Sequence, residues 1–346
     1  MSGAEVEAVE PRWLEWIAEN LARGASEAEL AAALIEEGLP EGRARACVRE
    51  VQASPALGAA RRLWWRVQAL EQIVRLRREH RAAPGSQSVA RRTLPPVEEF
   101  IARYWVPGVP VIVTDLVPRW PAFGRWGPDD LARRFGEVEV EACVGRSGSA
   151  APDPGWSELR RALRVRELVA LVRAAGAGND VYMIAKNASL AYSGLRALLA
   201  EVELPPEYFV PPAPERIALW FGPAGTHTPL HHDGDDSLLC QVLGRKRVRL
   251  APPESMPLLE RSDGVYCAWD PRAPEELDAG PERLIEAEVA AGEALFIPAG
   301  WWHQVDALEL SMTVTVQSFA WPGDSSWYRP GTALRGRLPR ALTPTS

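Results

Sequence analysis

From residue 215 onward the chain is a succession of short apolar segments separated by turn residues: RIALWFG, SLLCQVLG, KRVRLAP, ALFIPAG, WWHQVDAL and SMTVTVQSF. Runs of this length, rich in β-branched and aromatic residues, read as strands, and so many of them predict a β-sandwich or barrel. The stretch before them is mixed. PGVPVIVTDL (107–116) and VYMIAK (181–186) read as strands, and VEVEACV (138–144) alternates with the period of a half-buried strand. Pro128 to Phe135 reads as a short helix, 145–157 as a Gly/Ser/Pro-rich loop, and about 158–175 as a longer helix.

Residues 1 to about 82 follow a different rule. Trp13, Trp16, Ile17 and Leu21 fall at helical spacing, and Ser26 with Glu29 forms a capping-box signature before Leu30, Ala33, Leu34 and Ile35. A third helix is expected over 41–53. A longer one after Pro55 carries Leu63, Val67, Leu70, Ile73, Val74 and Leu76, with Trp64 and Trp65 read as core or interface residues and His80 as a surface one. AAPGSQS (82–88) is a linker by composition. The expected division is a helical module over 1–85, a β-rich domain over 86–325 and a Pro/Arg-rich tail over 326–346.

Composition removes several function classes. Apolar residues make up 47% of 346, enough for a sizeable core, which excludes wholesale disorder. A net charge of −7 and a pI near 5.5 argue against a protein that tracks nucleic-acid phosphates. No signal-type h-region opens the chain and no apolar run reaches the ~20 residues of a membrane span. The four scattered cysteines, with no C-x-x-C, fit a reduced, cytoplasmic protein.

Chemistry is concentrated in GTHTPLHHDGDDSLLCQVLGRKRVRLAPP (225–253). On an extended backbone His231 and Asp233, two apart, face the same way, and His232 between them faces the other. His303, in FIPAGWWHQV, offers a second imidazole. Two imidazoles and one carboxylate form a facial triad that leaves metal positions open, a set suited to non-haem Fe(II). By alternation His227 shares the His231 face, but four residues of strand put it roughly 13 Å away. It and His232 are expected to be packing or rim groups, and the acidic turn 234–236 a solvated one.

Leu238–Leu243, the turn Gly244-Arg245 and Lys246–Leu250 read as a hairpin in which 243 pairs with 246 and 241 with 248. Ser237, Leu239, Gln241 and Leu243 then share a largely apolar face with Lys246, while Arg247 and Arg249 point away. Only two of the 39 basic residues are lysines, Lys186 and Lys246. A lysine on that face either meets an anion or snorkels from a barrel rim.

These segments, WFGPAGTHTPLHHD followed by QVLGRKRVRL and later FIPAGWWHQV, resemble the JmjC-type, cupin-like Fe(II)/2-oxoglutarate oxygenases. Within that family the chain is similar to the protein hydroxylase branch, which holds the asparaginyl hydroxylase factor inhibiting HIF and related arginyl hydroxylases. VPGVPVIVTDLVPRWPA and VYMIAKN fit as well, so the likeness covers roughly 92–321. It implies a mainly β fold with flanking helices, a double-stranded β-helix (jelly-roll) core. It implies that His231, Asp233 and His303 hold iron, and that Lys246 and Thr228 bind the distal carboxylate of 2-oxoglutarate, helped by Tyr182. Strict alternation would turn Thr228 away from the His231 face, so that role assumes that Pro229 interrupts the strand. Gln317 stands where relatives often place Asn near the metal, and Trp220 where they line the substrate cleft. Ser237 departs from the pattern, since relatives commonly carry Asn there.

The implied reaction uses Fe(II), 2-oxoglutarate and O2 to hydroxylate a C–H of a protein or peptide side chain, releasing succinate and CO2. The same chemistry on a free amino acid or other small molecule, and a metal-binding cupin without oxygenase activity, are the alternatives. A zinc hydrolase is disfavoured because no general base is evident beside the triad. The Trp-bearing apolar stripes of the N-terminal helices suggest partner docking or a homodimer.

Overall fold

The computed structural model describes residues 11–81, 88–211, 213–259 and 264–321. Most of the linker and all of the 326–346 tail lie outside these. The chain divides into two compact units, Met1–Ala83 and Pro84–Ser346. No described helix is long and apolar enough to cross a membrane.

The described residues of the first unit form four helices: α1 (Pro11–Arg23), α2 (Glu27–Glu36), α3 (Glu41–Ala53) and α4 (Pro55–Arg81). The expected capping box starts α2: the Ser26 N–H donates to Glu29 Oε2 at 2.8 Å, and the Glu29 N–H donates to Ser26 Oγ at 3.2 Å. Ile17, Leu21, Leu30, Leu34, Cys47 and Val48 form the core on which these helices pack. Along α4 only Leu57 is buried. Trp65 is 76% exposed and so is not a core residue, while Trp64 is half-buried under the Arg23 guanidinium.

The second unit is built of strands β1 (Ala90–Arg92), β2 (Val111–Val113), β3 (Glu139–Val144), β4 (Arg160–Arg164), β5 (Val181–Tyr182), β6 (Ile217–Gly222), β7 (His227–His232), β8 (Ser237–Leu243), β9 (Arg245–Ala251), β10 (Ile285–Ala290), β11 (Ala294–Ile297), β12 (Trp302–Ala307) and β13 (Ser311–Val316). The six-stranded sheet runs β1-β2-β11-β8-β13-β6 and the four-stranded sheet β10-β9-β12-β7. From β6 to β13 the chain passes back and forth between these two sheets, which is the double-stranded β-helix. A third sheet, β4-β3-β5, accompanies them.

Three local expectations change. β8 and β9 do not form a hairpin: β8 pairs with β11 and β13, and β9 with β10 and β12. Gly244 carries the chain from one sheet to the other at φ +75°, and a Cβ there would collide with the Leu310 carbonyl. Residues 160–164 are not helical; they pair with β3 as β4, after a single turn at Trp156–Leu159 and before the helix Val165–Ala175. The segments 107–116 and 181–186 shrink to β2 and β5. The four cysteines are free and buried.

Candidate active site

Inward-facing residues of both sheets line a cavity of about 410 Å³, within the usual range of a small-molecule site. Period-two alternation selects them: Ser237 and Leu239 from β8, His303 and Val305 from β12, Thr313 and Thr315 from β13. Leu239 and Lys246 look into one space, as the supposed hairpin required, but because two facing sheets enclose it.

The register of β7 against β12 sets the candidate metal-ligating groups. His231 faces His303, and then the ladder slips, so that Val305 faces Thr228 and Asp306 faces His227. Pro229 and Leu230 together oppose Gln304, a bulge at a residue with no N–H to give the ladder. The bulge turns Thr228 and His231 toward the same cavity, and both line it. It also reverses the expectation for His227, which leaves the His231 face.

His231, Asp233 and His303 place their ligand atoms within 4.8 Å of one another. Nδ1 of His231 donates to the Pro229 carbonyl at 2.7 Å, and Nδ1 of His303 to the Trp301 carbonyl at 3.0 Å. A carbonyl only accepts, so both rings keep their lone pair on Nε2. The His303 Nε2 lies 3.9 Å from Asp233 Oδ2. Burial, opposed by the Asp233 carboxylate, holds the His231 imidazole below its ordinary value. Burial and the neighbouring His231 bring His303 down to about 4. Two neutral imidazoles and a carboxylate, each ring oriented by a backbone acceptor, fit a divalent ion of the iron type with positions left open.

Lys246 is 2% exposed. Its Nζ donates to the Tyr182 hydroxyl at 3.0 Å and lies 5.6–5.7 Å from the Tyr182 and Trp220 ring centroids. Among the described residues no carboxylate pairs with it. Burying an ammonium without a counter-charge is costly, so the arrangement suits an anionic ligand and does not match a snorkelling lysine. Tyr182, Trp220, Ser237 and Gln317 also line the cavity. Trp220 is fixed by its Nε1–H to Thr315 Oγ1 at 3.0 Å.

The sequence did not place several of these groups in the site. Arg146, inside what reads as a Gly-rich loop, is 1% exposed and donates from Nη2 to Asp153 at 2.7 Å and to the His227 carbonyl at 2.9 Å. Its guanidinium lies 5.4 Å from the Tyr182 ring, so it braces both that tyrosine and the start of β7. Lys186 also borders the cavity, donating to the Tyr266 hydroxyl at 3.2 Å, so both lysines of the chain lie on one cavity. Its rarity in the sequence was the available clue. Asp236 is not a solvated turn residue, since it accepts from Trp105 Nε1 at 2.8 Å and the Ala299 N–H at 2.9 Å.

His232 packs edge-on against Trp302, as a packing group. On the outer face of β7, His227 sits between Asp306 (Nδ1, 2.7 Å) and Asp270 (Nε2, 2.9 Å), and Arg249 bonds Asp306 at 3.0 Å. Burial pushes the His227 imidazole down, but the two carboxylates outweigh it and hold it above its ordinary value. Burial likewise pushes Asp270 and Asp306 up, and His227 outweighs it, leaving both below theirs. The cluster therefore stabilises fully between the unfolded aspartate and histidine values, about pH 4 to 6.5. The His227 contribution is lost as pH rises through its raised folded value, and the aspartate contribution as pH falls through their lowered ones. Urea midpoints should be lower at pH 9 than at pH 6, and a His227→Gln variant should lose most of that difference; an equal difference in the variant would exclude this cluster as its source.

Residues 96–321 match the family model of the cupin-like domain. Lysine-specific demethylase 8 of Xenopus tropicalis is 30% identical over 249 residues, covering 66% of this chain and 51% of that protein. Lysine-specific demethylase JMJ30 of Arabidopsis thaliana is 28% identical over 247 residues, covering 68% and 55%. The human bifunctional peptidase and (3S)-lysyl hydroxylase JMJD7 is 25% identical over 249 residues, covering 61% and 78%. The chain thus spans about half the length of the first two of these relatives.

Proposed function

We propose, on the premise that this chain belongs to the cupin-like domain family, that it is an Fe(II)- and 2-oxoglutarate-dependent oxygenase that hydroxylates a C–H of a protein or peptide side chain. The observation that carries this reading is the buried Lys246 ammonium, unmatched by any described carboxylate, on the same cavity as the His231–Asp233–His303 cluster. A structural metal site has no need of such a cation, and a dicarboxylic acid that also ligates a metal does.

His231, Asp233 and His303 would hold the iron, the two imidazoles kept in the correct tautomer by the Pro229 and Trp301 carbonyls. Bound iron, with 2-oxoglutarate and O2, supplies the oxidising power, and succinate and CO2 leave. Lys246 would pair with the distal carboxylate, with Tyr182 and Thr228 as further hydrogen-bond donors to it. Leu239, Ile297 and Val305 line the same cavity and limit its water. Ser237 would offer a hydrogen bond beside the cosubstrate, Gln317 one near the metal, and Trp220 a flat wall for the substrate.

The relatives' names support a macromolecular substrate: two are lysine-specific demethylases and one includes a lysyl hydroxylase. A screen of peptides for succinate release, read by mass, separates these outcomes. Gain of one oxygen supports hydroxylation, loss of a methyl group makes the chain a demethylase, and turnover only of free amino acids moves the substrate to small molecules. Before any substrate is known, Mn(II) in place of iron should let 2-oxoglutarate stabilise the protein, by about 2.7 kcal/mol at a hundredfold excess over its Kd. 2-Oxoglutarate that shifts the melting temperature no more than succinate does would leave a cupin without oxygenase activity.

A further inference from the structure

The C-terminal half of α4 is a formed helix whose apolar residues meet water. Leu63, Val67 and Leu70 are 61%, 44% and 62% exposed, and Val74 is half-buried. They follow one another at intervals of four, three and four residues, which draws a single stripe along the helix. In a heptad, Leu63 and Leu70 take the d positions and Val67 and Val74 the a positions. Leucine at d with a β-branched residue at a is the pattern that favours two parallel strands. The flanks agree. Arg66 falls at g and Glu71, five residues later, at e, and both are exposed. In a parallel pair, g of one helix meets the following e of the other, so Arg66 meets the partner's Glu71 twice by symmetry. An antiparallel pair centred on Val67 and Leu70 would instead set Arg66 beside Ile73 and lose both ion pairs.

We propose that this half of α4 pairs with the same segment of a second copy of the chain as a short parallel coiled coil, making the protein a homodimer. A seam of two heptads is short for free peptides, which must form their helices as they associate. Here the helix is already formed, anchored at its start by buried Leu57 and by the Arg61 Nε–H to the Leu21 carbonyl at 3.3 Å. Association therefore orders little new backbone. Trp64, at e, is held by Arg23 on the side toward α1 and does not block the seam. Trp65 and Leu76 lie on the other side of the helix and take no part.

Sedimentation of the full chain over a micromolar dilution series tests the pairing. The expected result is a monomer–dimer equilibrium that Leu63→Glu or Leu70→Glu shifts to monomer and Trp65→Glu leaves alone. Arg66→Glu or Glu71→Arg alone should weaken the dimer, and the two together should restore it. Leu70→Cys should cross-link to its symmetry mate on mild oxidation and Trp65→Cys should not, since a parallel, in-register pair sets residue 70 against residue 70 across the seam and leaves residue 65 on the far side of the helix. All of these side chains are exposed, so circular dichroism should show each variant folded. A monomer at every concentration, a larger oligomer, a dimer indifferent to Leu70→Glu, no restoration by the charge swap, or equal cross-linking at 65 and 70 would each overturn the proposal.

Discussion

Asp233→Ala is expected to silence metal-dependent succinate release and to weaken Mn(II) binding by more than about a hundredfold. Asp233 is the one anionic donor in a cluster whose other two members are neutral imidazoles. Its loss removes a ligand and the charge that offsets the cation, a larger change than the 10–100-fold that follows from losing a partner behind a ligand. The fold should survive. The Asp233 carbonyl keeps its bond from the Gly300 N–H at 2.8 Å, and the side chain is partly exposed. Calorimetric titration with Mn(II), alongside a melting curve, checks both parts; near-normal Mn(II) affinity would remove Asp233 from the metal site.

Lys246→Met should separate cosubstrate binding from metal binding. A hydrogen bond to a charged group is worth about 1.5–3 kcal/mol, so the KM for 2-oxoglutarate should rise roughly 10- to 150-fold while Mn(II) affinity stays close to normal. Lys246→Arg should rescue little, because a planar fork cannot take the place of a compact ammonium between Tyr182 and Trp220. The same Met variant should make the empty protein more stable to urea, since the native state buries an ammonium with no described counter-ion. Lower stability in the empty variant, or an unchanged KM, would mean that Lys246 serves the core and not the ligand.

Much of the site was legible because its logic is local. His231 and Asp233 lie two apart on extended backbone, and parity alone puts them on one side. Parity failed four residues upstream, on the same strand. The bulge at Pro229 and Leu230 against Gln304 depends on how β7 meets a strand some seventy residues later, and it sends His227 to the outer face with Asp270 and Asp306. The Gly244-Arg245 turn satisfies the local rules for a hairpin, and only the pairing of β8 with β13 and of β9 with β12 shows that the chain changes sheets there. Residues 160–164, RRALR, carry helix-forming side chains and become a strand because β3 needs a neighbour. β10, IEAEVA, alternates cleanly but is too polar on one side to stand out among buried strands. Arg146 could not have been found at all, since its partners lie 7 and 81 residues away.

The order of strands has a consequence for synthesis on the ribosome. β12, which brings His303, lies between β7 and β9, and β13 lies between β6 and β8. Until these last two segments have left the exit tunnel, β7 and β6 have no neighbour on that side, and a metal ion would find only the His231 and Asp233 donors. At about 5–20 residues per second, the stretch from β6 to β13 takes several seconds to emerge. During that interval the nascent polypeptide holds open strand edges and lacks the His303 donor, so a metal ion would meet all three candidate donors only after β12 has paired with β7.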